Sequence, residues 1–186
     1  MKLRRTNSHT VKVYDNILTP SVCDSLIALF TERSEGHDKI VNSGKPNFTQ
    51  WNVNTHAAEM VPYLIEKVKV CVEMYQTNLL GLAKYMPPVK TMEQFRLKKY
   101  EPGGEDRFDE HIDVADYNSA RRYLAFLFYL NDVDEGGETT FSFHDIIIKP
   151  KIGSVVVFPP TWEYPHSGKP PVSGNKYIMS TYLHYG

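Results

Sequence analysis

A chain of 186 residues, 41% hydrophobic and 23% charged, is long enough for one domain with a sizeable core and too short for two. That balance excludes a largely disordered chain, and a formal charge of −1 supplies no overall field for nucleic acid or an anionic membrane. No stretch approaches the roughly 18 apolar residues of a membrane helix, and no apolar run follows the basic N-terminus as in a secretory signal, so the expectation is a soluble cytoplasmic protein.

Lys2, Arg4 and Arg5 gather at the start and read as a solvated N-terminal tail. Thr19-Pro20 then supplies an N-cap and a proline at the first helical position. Cys23, Leu26, Ile27, Leu29 and Phe30 recur at helical spacing, with Gly36 past the end. Residues 37–56 are polar and irregular. A longer helix follows through Val61, Leu64, Ile65, Val68, Val72, Tyr75 and Leu79, with Pro62 tolerable in its first turn. Both cysteines, Cys23 and Cys71, fall on these helices and read as buried free thiols, which demand no oxidising compartment.

From about Thr91 the period changes to two. Phe95, Leu97 and Lys99 alternate with Arg96, Lys98 and Tyr100, as on a half-buried strand. Tyr123 to Leu130 is apolar on both faces and reads as a central strand. Further strands are expected over 138–143, 145–149, 154–158 and 176–185, separated by Gly-rich turns. The fold class is α+β, mainly β: helical support over 1–90 packed on one face of a jelly-roll core over 91–186, all within a single domain.

Seven histidines are present, and chance alone supplies a His-x-Asp about 0.4 times in such a chain. His111-Ile112-Asp113 is therefore weak evidence by itself, although residues i and i+2 of a strand converge on one side. An imidazole pair plus one carboxylate is the set that non-haem iron(II) oxygenases use, so a second histidine is required from elsewhere. His166, His144 and His184 all stand in or beside strands, and spacing does not choose among them. Lys176 opens an apolar strand and shares a face with Ile178, Ser180 and Tyr182. It either marks an exposed strand start or lines the barrel, where it would need a carboxylate partner brought by a ligand.

The ordered set resembles the prolyl 4-hydroxylase branch of the 2-oxoglutarate/iron(II) dioxygenases over nearly the whole chain. It comprises the opening Val13-Tyr-Asp-Asn-Ile-Leu-Thr-Pro with Cys23, the strand Lys99-Tyr-Glu-Pro-Gly and His111-x-Asp113. It continues with Tyr129 through Gly136-Gly-Glu-Thr139-x-Phe141, Gly153-Ser-Val-Val-Val-Phe158, and His166 followed ten residues later by Lys176. The resemblance implies a distorted double-stranded β-helix with iron(II) on His111, Asp113 and His166. It implies that Lys176 pairs with the distal carboxylate of 2-oxoglutarate, helped by Thr139 and Tyr100, and that O2 and ascorbate take part. Thr139 is otherwise an ordinary hairpin residue, and Tyr100 and Tyr182 ordinary core aromatics.

The implied reaction is hydroxylation of a C–H bond, with a peptidyl proline as the working substrate and 2-oxoglutarate converted to succinate. Trp51, Tyr164, Trp162 and Tyr182 would supply an aromatic groove for an extended chain. Two departures leave the substrate open. Residues 104–110 are unusually charged, and the segment from Pro46 to Val53 lacks the Arg and Ser of peptide-hydroxylating relatives. The alternatives are the same chemistry on a small molecule or another side chain, and a silent metal-binding jelly-roll module. A nucleic-acid substrate is disfavoured because the chain offers Lys176 rather than an Arg and has no basic field.

Overall fold

The computed structural model describes residues 1–4, 6, 8–42 and 46–186, so Arg5 of the expected basic tail lies outside the described residues. In chain order the strands and helices are β1 (Lys2–Arg4), β2 (Lys12–Asp15), α1 (Pro20–Glu32), β3 (Asp38–Val41), β4 (Asn47–Asn52), α2 (Val53–His56) and α3 (Val61–Asn78). Then come β5 (Thr91–Met92), β6 (Arg96–Tyr100), β7 (Phe108–His111), β8 (Arg122–Tyr129), β9 (Thr139–Phe141), β10 (Ile146–Ile148), β11 (Val155–Phe158), β12 (His166–Gly168) and β13 (Lys176–His184). The major sheet runs β1-β2-β11-β8-β13-β6-β4-β3, with β5 pairing β13, and the minor sheet runs β10-β9-β12-β7.

Period-two alternation gives the major sheet two buried faces. On β8, Leu124, Phe126 and Phe128 turn to the helices while Ala125 and Tyr129 turn to the minor sheet. The helix-side core joins these to Leu97, Val155, Val157 and Met179 from neighbouring strands. Cys23, Leu26 and Phe30 of α1 and Leu64, Val68, Cys71 and Tyr75 of α3 meet them, one stripe per helix at three- and four-residue spacing. Thr19 caps α1 as expected, its Oγ1 accepting from the Val22 N–H at 3.4 Å. Between the sheets, Val156, Phe158 and Ile178 meet Phe141, Ile146 and Ile148. Both cysteines are buried and free, and among the described residues no helix is long and apolar enough to cross a membrane.

Three expectations are corrected. The N-terminus is no solvated tail: β1 pairs β2, and Arg4 Nη2 bonds Asp15 Oδ1 at 2.6 Å while Lys151 reaches its other oxygen at 3.0 Å. Residues 37–56 are no irregular loop, because β3 and β4 form the far edge of the major sheet. Helical support therefore describes only part of 1–90, which also supplies both edges of that sheet. The polar content misled because β3 is an edge strand whose side chains are mostly exposed, and β4 beside it keeps Thr49, Gln50 and Asn52 only half-buried. As expected, Gly36 lies past the end of the first helix: α1 ends at Glu32, with the Arg33 N–H on the Leu29 carbonyl, and Gly36 closes a separate turn of 3₁₀ helix.

Candidate active site

Three metal-type donors meet where two neighbouring strands of the minor sheet face the major one. β7 ends on His111, β12 begins on His166, and the two residues pair directly across the sheet. Directly opposed residues of an antiparallel pair project to the same face, and the two imidazole centroids stand 4.3 Å apart. Asp113 lies two residues beyond the end of β7, so alternation along one strand does not bring it to His111, contrary to the expectation. It is held instead from three sides. Its N–H donates to the Pro160 carbonyl at 3.2 Å, its carbonyl accepts from Arg122 Nη1 at 2.9 Å, and its Oδ1 accepts from the Tyr182 hydroxyl at 3.0 Å.

His111 Nε2 and His166 Nε2 each lie 3.6 Å from an Asp113 carboxylate oxygen, and the three donor atoms fall within 4.8 Å of one another. The other ring nitrogens are already used: His111 Nδ1–H donates to the Asp109 carbonyl at 2.8 Å and His166 Nδ1–H to the Tyr164 carbonyl at 3.1 Å. Those bonds set the tautomer and leave both Nε2 lone pairs aimed at the space beside Asp113. Phe108 stacks on His111 at 3.4 Å, and Phe158 meets His166 edge-on at 4.9 Å. Burial works against an ionised Asp113, but the imidazoles of His111 and His166 beside it and the nearby Lys98 outweigh it and hold the carboxyl at about 2. Burial also holds His166 below its ordinary value. Two imidazole nitrogens and an ionised carboxylate on one side of a point are a facial ligand set, suited to a divalent iron with open positions.

These three residues line a cavity of about 490 Å³, counting space open to solvent, whose walls include Tyr100, Thr139, Lys176, Ile178, Ser180, Tyr182 and Lys98. Lys176, Ile178, Ser180 and Tyr182 share the inner face of β13, as parity requires. Lys176 is 1% exposed, which decides between its two sequence readings: it lines the barrel. Its stem runs past Gly137, where a Cβ would stand 3.3 Å from Cδ. Its ammonium lies 5.3 Å from the Tyr100 ring centroid and 5.9 Å from that of Tyr129, and no hydrogen-bond or ion-pair partner meets it among the described residues. Burial pulls its pKa down to about 7, only partly opposed by Glu138. Thr139 is buried and accepts from the Tyr129 hydroxyl at 2.7 Å, leaving its own proton free to turn into the cavity.

The remaining candidates are sorted by their contacts. His144 Nε2 meets the Glu163 carbonyl at 3.0 Å and His184 Nε2 meets Glu93 at 2.7 Å, both away from the donor cluster. Trp51 is corrected: it is fully buried in the helix-side core, edge-on to Phe30 at 5.9 Å, because its β6 partner Leu97 also points to the helices. Tyr164 is half-buried, bonded to Thr10 at 2.6 Å and stacked on His144, and it serves the site through its carbonyl. Trp162 is exposed. Sequence reasoning missed Arg122, which stacks 4.2 Å over Tyr182 and grips Glu93 through Nε and Nη2 at 2.6 and 3.1 Å. It also missed Lys98, although parity with Tyr100 already put that lysine on the cavity face.

Residues 95–184 match the family model for the 2OG-Fe(II) oxygenase superfamily. A 65-residue stretch is 42% identical to probable prolyl 4-hydroxylase 9 of Arabidopsis thaliana, covering 32% of this chain and 22% of that protein. Probable prolyl 4-hydroxylase 3 of the same plant is 25% identical over 205 residues, 94% of this chain and 69% of its own length. The fold is shared with the crystal structure of viral collagen prolyl hydroxylase vCPH from Paramecium Bursaria Chlorella virus-1 in its 2OG complex. That likeness has a TM-score of 0.71 at 23% identity and covers 95% of this chain and 97% of the viral one. The matched segment holds the donor triad, the buried lysine and the strands that position them, and it is over this segment, just under half of the chain, that the sequence is similar to the 2OG-Fe(II) oxygenase superfamily.

Proposed function

We propose that this protein is an iron(II)- and 2-oxoglutarate-dependent dioxygenase that hydroxylates a C–H bond, with a peptidyl proline as the substrate. The observation that carries the reading is Lys176: a buried, unpartnered ammonium in the same cavity as a His-Asp-His donor set. A lone buried cation is costly, and a dicarboxylate reaching from the donor cluster to the ammonium would offset that cost. In this reading His111, Asp113 and His166 hold iron(II), and Lys176 holds the distal carboxylate of 2-oxoglutarate. The Thr139 hydroxyl proton and the Tyr100 phenol, kept neutral by burial, donate alongside. Bound there, iron(II) and 2-oxoglutarate supply oxygen activation, coupling loss of carbon dioxide and formation of succinate to hydroxylation of the substrate. O2 is the second co-substrate and ascorbate the reductant.

The chain's own residues orient and exclude. Tyr182 and Arg122 pin Asp113 so that it presents a fixed oxygen, and the two Nδ1–H bonds stop the imidazoles from turning. Phe108, Phe158 and Ile178 keep water from the donor cluster. The proline assignment draws on the names of the relatives and on the exposed Trp162 beside the site loop. The test is to supply the full chain with iron(II), 2-oxoglutarate, ascorbate and proline-rich peptides, and to follow succinate together with a mass gain of one oxygen. Both are expected from the wild type and neither from Asp113→Ala. Succinate without oxygen on any peptide would reject proline and keep the oxygenase; no succinate at all would reject the oxygenase.

A further inference from the structure

Two positions along the β6–β13 ladder from the Lys176–Tyr100 pair, strand β6 presents a second cationic face. Residues two apart on a strand share a side, so Arg96 and Lys98 lie on the side of Tyr100, and Lys98 lines the cavity with Asp113. Across the ladder Lys98 pairs with Ile178 on β13 and Gln50 on β4, and its ammonium stands 5.1 Å from the Phe48 ring centroid. Among the described residues no carboxylate or hydrogen-bond acceptor meets it. The charges acting on it are those of Asp113, Arg122, Arg96 and Glu93, whereas the one acting on Lys176 is that of Glu138, so the two lysines of this cavity stand in different surroundings. Glu93 is taken by Arg122 and His184. Arg96 reaches only the Gln94 amide oxygen, at 3.4 Å. Asp113 is committed to the donor triad. Asp113 and Glu93 therefore offset the charge of Lys98 only in part, since both carboxylates are shared with other partners, and a partly desolvated ammonium without an anion of its own is costly.

We propose that Lys98, backed by Arg96, is a specificity residue that binds a carboxylate of the primary substrate, so that the oxidised carbon belongs to an acidic molecule or an acidic stretch of peptide. The inference rests on the oxygenase reading and adds the substrate's charge. 2-Oxoglutarate has two carboxylates, one for the donor cluster and one for Lys176, which leaves Lys98 for the other reactant. Charge complementarity of this kind discriminates mainly against the uncharged analogue, which leaves the lysine unpaired.

The test uses acid–amide pairs: N-acetyl-L-proline against N-acetyl-L-prolinamide, and blocked Ala-Pro-Asp-Ala against blocked Ala-Pro-Asn-Ala. Binding is measured by titration calorimetry without oxygen on the full chain, with and without iron(II) and 2-oxoglutarate. In at least one pair the acid is expected to bind about tenfold tighter to wild type and to Lys98→Arg, and within about twofold of its amide to Lys98→Met. The proposal is overturned by equal binding of every pair to wild type, or by a preference that survives in Lys98→Met. It is also overturned if Lys98→Met weakens 2-oxoglutarate and leaves the acid preference intact, which would make Lys98 a co-substrate contact. Because the readout is binding, it judges Lys98 even if succinate formation fails and the oxygenase reading falls.

Discussion

Lys176 sets stability against function within one side chain. Its ammonium is buried without a partner and titrates near 7 in the folded chain, well below the ordinary lysine value of the unfolded one. Between those two values the unfolded chain binds the extra proton, so stability of the ligand-free protein rises with pH from about 7 upward. Lys176→Met removes the unsatisfied group, and we expect it to stabilise the ligand-free protein by about 1–3 kcal/mol in urea unfolding at neutral pH. The same variant should lose 2-oxoglutarate binding. In the wild type, a dicarboxylate that requires the protonated lysine should bind with constant affinity below pH 7 and about tenfold more weakly per pH unit above it. Titration calorimetry across pH 6 to 9 reads that slope, and a flat profile would remove Lys176 from the co-substrate site.

At the scale of elements, the turn before β11 is the most constrained join. Gly153 sits at φ +74°, and its carbonyl accepts from both Ile17 and Leu18, at 2.8 and 3.1 Å, tying the end of β2 to the start of β11. A Cβ there would stand 2.3 Å from the Leu18 carbonyl oxygen. Gly153→Ala therefore meets a disfavoured backbone region and a backbone clash together, and we expect a loss of about 1–3 kcal/mol or more, read from the urea midpoint. The elements were legible in the sequence wherever one residue pattern served one environment. The stripes of α1 and α3, the doubly covered β8, and the cavity face of β13 all have a period that burial enforces. Where a strand serves two environments or lies at an edge, as β3 and β4 do, the pattern dissolves into polar residues and reads as loop. His166 could not be chosen from spacing because its pairing with His111 is a tertiary fact, and Asp113 converges through a loop that no strand parity describes. Trp51 was misplaced for a similar reason: its face depends on which strand pairs with β4.

The two imidazoles belong to the minor sheet, while Tyr182 and Arg122, which pin Asp113, come from the major one, so the donor cluster bridges the whole molecule. An ion bound there cross-links the sheets and should stabilise the fold by mass action. At a hundred times its dissociation constant the gain is about 2.7 kcal/mol, or roughly 5–10 °C in Tm for a chain of this size. Anaerobic thermal melts with iron(II) should show that shift in wild type and lose it in His166→Ala, and 2-oxoglutarate should add a further shift only when the metal is present. Strand β6 has a separate consequence. It is paired on both flanks, by β4 and β13, so its backbone is fixed whatever its cavity-facing side chains are. Tyr100 and positions 96 and 98 occupy that one rigid strand, and in the proposed reading Tyr100 serves the co-substrate while 96 and 98 serve the substrate. A lineage can thus exchange Arg96 or Lys98, and with them its diet of substrates, one mutation at a time, while inheriting the oxidising machinery unchanged.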